Sequence, residues 1–244
     1  MPDPILENLR AVHARIADAC RAAGRPDGSV TLVAVSKTKP VADLAAALAA
    51  GQVDLGENYA QELRDKADDP ALRGVTWHFI GALQTNKAKL VAPRATLVHD
   101  VDRMELAFEL GRRVGATHAG PRTIGVLIGV NIGEEPQKSG VLPKDALALA
   151  ADFALVPGVR LRGLMCIPPA EADPRPHFER LRELRDDGRA RGLPLDELSM
   201  GMSHDYDVAI ACGATLVRVG SAIFGARQRP VPADAHGSPD DPGR

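Results

Sequence analysis

Lys37 stands where a buried strand gives way to a turn. The run Thr31-Leu32-Val33-Ala34-Val35-Ser36 is apolar or small and β-branched at three positions, as strands covered on both faces are. A primary amine at such a strand end can form an imine with a carbonyl compound, although a surface lysine is the plainer reading, since lysines are mostly exposed. Further along, Ser199-Met200-Gly201-Met202-Ser203-His204-Asp205 and Gly220-Ser221 bring together hydroxyls, glycines and helix starts. Those are the parts from which a phosphate cup is built. Taken one at a time, Ser203 reads equally well as a helix cap and Gly220-Ser221 as a strand–helix turn. Arg218 alternates with Val217 and Val219, and inside an apolar interior it needs a polar partner. That partner is either a carboxylate such as Glu57 or the ring nitrogen of a flat cofactor. An imine-forming lysine, a phosphate cup and an arginine facing a ring nitrogen together describe a pyridoxal phosphate site.

The elements that would position these groups alternate along the chain. After a first helix carrying Ile5, Leu9, Val12 and Ile16 on one face, short apolar strands are expected at Val30–Ser36, Val53–Gly56, Val75–Ile80, Thr96–His99, Thr123–Val130, Val159–Met165, Glu197–Ser199 and Thr215–Val219. Helices are expected to start near Pro40, Tyr59, Asn86, Arg103, Pro143, Pro174, Asp205 and Ser221. Eight repeats of strand and helix predict a parallel sheet closed into a (β/α)8 TIM barrel. A doubly wound open sheet is the alternative, but no G-x-G-x-x-G follows the first strand. In a barrel the ligand site lies at the C-terminal ends of the strands, where Lys37, Gly56-Glu57-Asn58-Tyr59, Ser203 and Gly220-Ser221 all fall. The expected barrel domain spans residues 1–227, and residues 228–244 form a Pro-rich tail expected to be disordered.

Composition narrows the partners. Thirty Lys+Arg against 32 Asp+Glu leave a net charge of −2 over 244 residues, so no overall field favours nucleic acid or an anionic membrane. Cys20, Cys166 and Cys212 are widely spaced with no C-x-x-C pair, as expected of reduced thiols in the cytoplasm. No apolar run approaches the roughly 20 residues of a membrane helix, and Met1-Pro2-Asp3-Pro4 does not open a signal peptide. His78 reads as a satisfied core or rim histidine, and His99 with Asp100 and Asp102 lacks a further ligand at metal-binding spacing.

Five segments carry a resemblance to a known family. They are Val33-Ala34-Val35-Ser36-Lys37-Thr38-Lys39-Pro40, Gly56-Glu57-Asn58-Tyr59, the run from His78 to Lys87 (His78-Phe79-Ile80-Gly81-Ala82-Leu83-Gln84-Thr85-Asn86-Lys87), Leu198-Ser199-Met200-Gly201-Met202-Ser203, and the run from Val217 to Gly225. In order and content they closely resemble the YggS/PROSC family, the pyridoxal phosphate homeostasis proteins, over residues 5–227. The resemblance implies a fold similar to the N-terminal barrel of alanine racemase, with pyridoxal 5'-phosphate held covalently on Lys37. It implies phosphate contacts from Ser203, Gly220 and Ser221, Arg218 at the pyridine nitrogen, and Asn58 and Met200 lining the ring pocket. The family often has Thr where Ser221 stands, which keeps the hydroxyl, and an acidic residue at His204.

Alanine racemases resemble this chain in the barrel but add a C-terminal β domain that supplies a second base, a tyrosine. Here the two tyrosines are Tyr59 and Tyr206, and the barrel is followed by the tail. A fixed positive charge at the pyridine nitrogen also disfavours its protonation and weakens the ring as an electron sink. The expectation is therefore a protein that binds, stores and delivers the cofactor, a monomer with PLP, related B6 vitamers and PLP-dependent apoenzymes as its candidate partners. An amino-acid racemase and a Schiff-base aldolase are the competing readings. Lys138, on the loop Glu134-Glu135-Pro136-Gln137-Lys138-Ser139-Gly140, is expected at the same rim, in reach of cofactor in transit.

Overall fold

The apolar runs and the amphipathic stretches between them fold as their alternation demands. The computed structural model describes residues 4–115 and 122–225. Helix α1 (Pro4–Ala22) leads into β1 (Thr31–Val35), α2 (Val41–Ala49), β2 (Asp54–Glu57), α3 (Ala60–Ala67), β3 (Thr76–Phe79), α4 (Ala88–Val91), β4 (Leu97–Val101) and α5 (Met104–Val114). The second half runs β5 (Ile124–Val130), α6 (Pro143–Phe153), β6 (Val159–Cys166), α7 (Pro174–Ala190), β7 (Glu197–Ser199), α8 (Tyr206–Ala211), β8 (Leu216–Val219) and α9 (Ser221–Phe224). The strands pair in chain order, all parallel, and β8 pairs with β1 to close the barrel, with Val33 opposite Arg218. The eight-stranded (β/α)8 barrel expected from the sequence is the fold observed, with strand ends within a few residues of the expected ones.

Two differences bear on the site. Strand β4 continues through Asp100 and Val101, beyond the expected end at His99, because Val101 pairs with Ile128 across an irregularity that begins after Val98. Asp100 therefore sits on a strand and not in a loop. The helix expected near Asn86 opens as a 3₁₀ turn over Thr85–Lys87 and becomes α-helical only at Ala88. The Pro-rich tail over 228–244 lies outside the described residues.

Side-chain alternation divides the apolar residues into two bodies. Val33, Ile80, Leu97, Leu127, Met165 and Leu216, with Val35 beside them, fill the barrel. Their neighbours in sequence, among them Leu32, Ala34, Phe79, Val98, Val217 and Val219, pack outward against the helices. Helix α1 caps this outer layer: Leu9, Val12, Ile16 and Cys20 are buried, and the helix packs on α2, α8 and α9. Asn8 donates from Nδ2 to the carbonyl of Ile223, which ties α1 to the last helix. No helix among the described residues is long and apolar enough to cross a membrane.

Candidate functional site

Lys37 follows Val33 and Val35 in the inward alternation of β1 and lies in the turn that ends the strand. That turn is fixed from behind by a buried polar cluster. Ser36 donates its amide to the carbonyl of Gly56 at 3.0 Å and its hydroxyl to Glu57 Oε1 at 2.7 Å. Thr38 takes a positive φ of 63°, and its amide donates to Glu62 at 2.6 Å. Lys66 Nζ donates to the Ser36 carbonyl, Glu57 and Glu62, at 2.8, 2.7 and 2.7 Å. All three ammonium protons are thus used, which a lysine only 6% exposed requires. Burial pushes the Glu57 carboxyl up to about 7, against the pull of Lys66 and Ser36. Glu57 is therefore the partner of Lys66, and the sequence-level alternative that paired it with Arg218 does not hold.

Arg218 alternates into the barrel from β8 as expected and is 4% exposed. It donates from Nη1 to Ser199 Oγ at 2.6 Å and from Nη2 to the Cys166 carbonyl at 3.0 Å. Burial pulls its pKa down, yet a guanidinium keeps its charge at neutral pH. Among the described residues no carboxylate pairs with it, so a buried positive charge faces the upper barrel with neutral partners only.

Lys37, Asn58, Ser203, Arg218, Gly220 and Ser221 line one cavity of about 250 Å3, together with Val35, Ile80, Ile167 and Met202. Ser221 Oγ lies 3.3 Å from Ser203 Oγ, so the loops after β7 and β8 meet there. A Cβ on Gly220 would come within 3.1 Å of Val35, tighter than ordinary contact, so glycine suits the close approach of the β8 turn to β1. Gly201 takes φ of +91°, and a Cβ there would meet Ala209 and Tyr206, which fixes the turn leading to Ser203. The Asn58 side-chain oxygen is buried and has no hydrogen-bond partner among the described residues. Amine, two hydroxyls, guanidinium and a waiting acceptor around one apolar wall suit a flat, polar-rimmed ligand with an anionic tail.

Met200 and Met202 take different surroundings. Ser199 points inward from β7, so Met200 points outward into the helix-facing core, fully buried, and Met202 lines the cavity instead. His78 is a satisfied core histidine, as expected: both ring nitrogens are engaged, by His99 at 2.9 Å and Asp54 at 3.0 Å. Tyr59 is exposed at the start of α3, and Tyr206 packs under Arg15 on α8; neither lines the cavity. A second cavity of about 320 Å3 adjoins the first through Ile167 and is lined by Asp100, Asn131, Lys138 and Met165. Lys138 donates to the Pro168 carbonyl at 3.1 Å and pairs with Glu135. Burial and then Asp102 push the Asp100 carboxyl up to about 6.

Residues 8–228 match the family described as alanine racemase, N-terminal domain. The chain is 46% identical to the pyridoxal phosphate homeostasis protein of Pseudomonas aeruginosa over 232 residues, 94% of this chain and 98% of that one. It is 42% identical to the protein of the same name from Escherichia coli K12, covering 91% and 97% of the two chains. Among solved structures, PipY of Synechococcus elongatus with PLP bound is similar at a TM-score of 0.77 and 35% identity, over 91% of this chain and all of that one. The alanine racemase of Corynebacterium glutamicum shares the fold at a TM-score of 0.63 and 19% identity, over 96% of this chain and 63% of that one.

Proposed function

The chain belongs to the pyridoxal phosphate homeostasis proteins of the alanine racemase N-terminal domain family, and on that premise we propose that it binds, stores and delivers pyridoxal 5'-phosphate through Lys37. The observation that carries the reading is the convergence of Lys37, Arg218, Ser203, Gly220 and Ser221 on one cavity. Bound there, the cofactor would supply a reactive aldehyde and a ring able to delocalise charge. Lys37 would hold it covalently by its amine. The hydroxyls of Ser203 and Ser221 and the amides that open α9 would bind its phosphate. Asn58 would find for its orphaned oxygen the donor it lacks among the described residues.

Arg218 decides what the site does with its ligand. A guanidinium has no acceptor, so it can only donate to a ring nitrogen and holds that nitrogen unprotonated. This favours retention over carbanion chemistry and suits a carrier, which we read as a cytoplasmic monomer serving PLP-dependent apoenzymes. The test is uptake of PLP by the purified protein. The wild type should turn yellow, and mass spectrometry after borohydride reduction should place the adduct on Lys37, while Lys37→Ala should lose the visible band. Sustained exchange of Cα hydrogen for solvent deuterium in amino acids, over many turnovers, would replace the carrier reading with an enzyme.

A further inference from the structure

Below the cofactor cavity a single file of polar side chains crosses the barrel. Arg218 Nη1 donates to Ser199 Oγ at 2.6 Å, and Ser199 Oγ lies 2.8 Å from His99 Nδ1. His99 Nε2 lies 2.9 Å from His78 Nδ1, and His78 Nε2 lies 3.0 Å from Asp54 Oδ1. Five strands contribute one member each: β8, β7, β4, β3 and β2. Ser199 and His99 are fully buried and His78 is 4% exposed, whereas the Asp54 side chain is a quarter exposed at the start of β2, on the face opposite Lys37.

The ends of the file dictate where every proton sits. Arg218 can only donate, so Ser199 accepts from it and must send its own hydroxyl proton to His99 Nδ1, since a buried hydroxyl without an acceptor is costly. His99 then carries its proton on Nε2 and donates to His78 Nδ1. His78 in turn carries its proton on Nε2 and donates to the Asp54 carboxylate. Run the other way, the file would leave the Ser199 hydroxyl facing a donor. Burial first, then His78, Arg218 and Arg162, holds His99 well below the usual imidazole range, which agrees with a neutral His99 that accepts at one nitrogen and donates from the other. Arg162 and Glu197, the other charged groups acting on these rings, are paired with each other.

We propose that Ser199, His99, His78 and Asp54 are positioning residues for Arg218: a proton-ordered relay that aims the guanidinium at the cofactor cavity and joins its charge to a carboxylate at the floor of the barrel. Resting on the reading of the cavity as a PLP site, this explains how a buried guanidinium is held when no carboxylate hydrogen-bonds to it and Asp205 and Asp100 act on it only through space. Aligned hydrogen bonds polarise one another, so the effect of the distant carboxylate reaches farther than through unordered groups.

Long-range 15N imidazole NMR on cofactor-free protein should find both His99 and His78 as the Nε2–H tautomer. In Ser199→Ala the His78 ring resonances should move although the two residues do not touch, a change that a merely structural serine would not cause. In PLP-loaded protein, Ser199→Ala and the quarter-exposed Asp54→Asn, which keeps an acceptor and loses the charge, should each release the cofactor about tenfold faster, with a shifted visible maximum. An Nδ1–H tautomer on either ring of the wild type overturns the relay. So do unchanged His78 resonances in Ser199→Ala, or release and absorption unaltered in both variants. Wild type that takes up no PLP would sink the functional reading alone, because the tautomer pattern in cofactor-free protein still decides the relay.

Discussion

At the scale of single residues, the site combines groups that the sequence exposes with groups that it hides. Lys37, Arg218, Gly220 and Ser221 were legible because they lie on or just after strands whose alternation is plain, and Ser203 because it falls in a Gly- and Ser-bearing stretch before a helix start. Asp100 was not, since its role depends on β4 continuing two residues past His99. Its carboxyl is raised to about 6 by burial and by Asp102, against an ordinary 3.8, so the folded state prefers it protonated. The sign follows: its contribution is fully present below about pH 4 and is lost as pH rises through about 6. Asp100→Asn, which still accepts from Ser139 Oγ, should therefore be more stable than the parent at pH 8 by about 2 kcal/mol, with the gap closing by pH 4. Urea denaturation at the two pH values checks this. The two histidines were likewise read one at a time. Only the pairing of His78 with Leu97 across β3 and β4 brings His78 and His99 into contact, and no spacing in the sequence announces that register.

At the scale of elements, the turn after β1 depends on α3 as much as on its own residues. Lys66 and Glu62, one helical turn apart, reach across to Ser36, Glu57 and the strained amide of Thr38. Removing one partner of a buried pair costs about 3–5 kcal/mol, so Lys66→Met should destabilise the protein by that order at pH 8. Because the Glu57 carboxyl already sits at about 7 and loses its attracting ammonium in the variant, protonation relieves the penalty, and the difference from the parent should shrink toward pH 5. Denaturation curves at both values decide it. The alternation of strands and helices was fully legible, because period-two and period-3.6 patterns are local properties of the chain. The α3 cluster was not, because a lysine in a charged helix reads as solvated until the neighbouring strand end is in place.

At the scale of the whole molecule, two adjoining cavities and a capping helix shape how a ligand would come and go. Ile167 borders both cavities, and Lys138 stands in the second. If cofactor leaves by that route, Lys138→Ala should slow delivery to an apoenzyme while leaving the visible band of the loaded protein in place; an unchanged transfer rate removes Lys138 from the path. Helix α1 acts from the other side, through Asn8 on the Ile223 carbonyl beside the proposed phosphate cup. Asn8→Ala should cost about 1 kcal/mol of stability and quicken PLP release, measured by absorbance during dilution into a trapping apoenzyme.

The barrel closes by joining β1 to β8, and the proposed ligand is shared across that seam. Lys37 follows the first strand and Arg218, Gly220 and Ser221 lie on and after the eighth, so the amine is translated before them. On the proposed reading, a polypeptide still on the ribosome owns the amine before it owns the clasp, so loading would wait until the seam between β1 and β8 has closed.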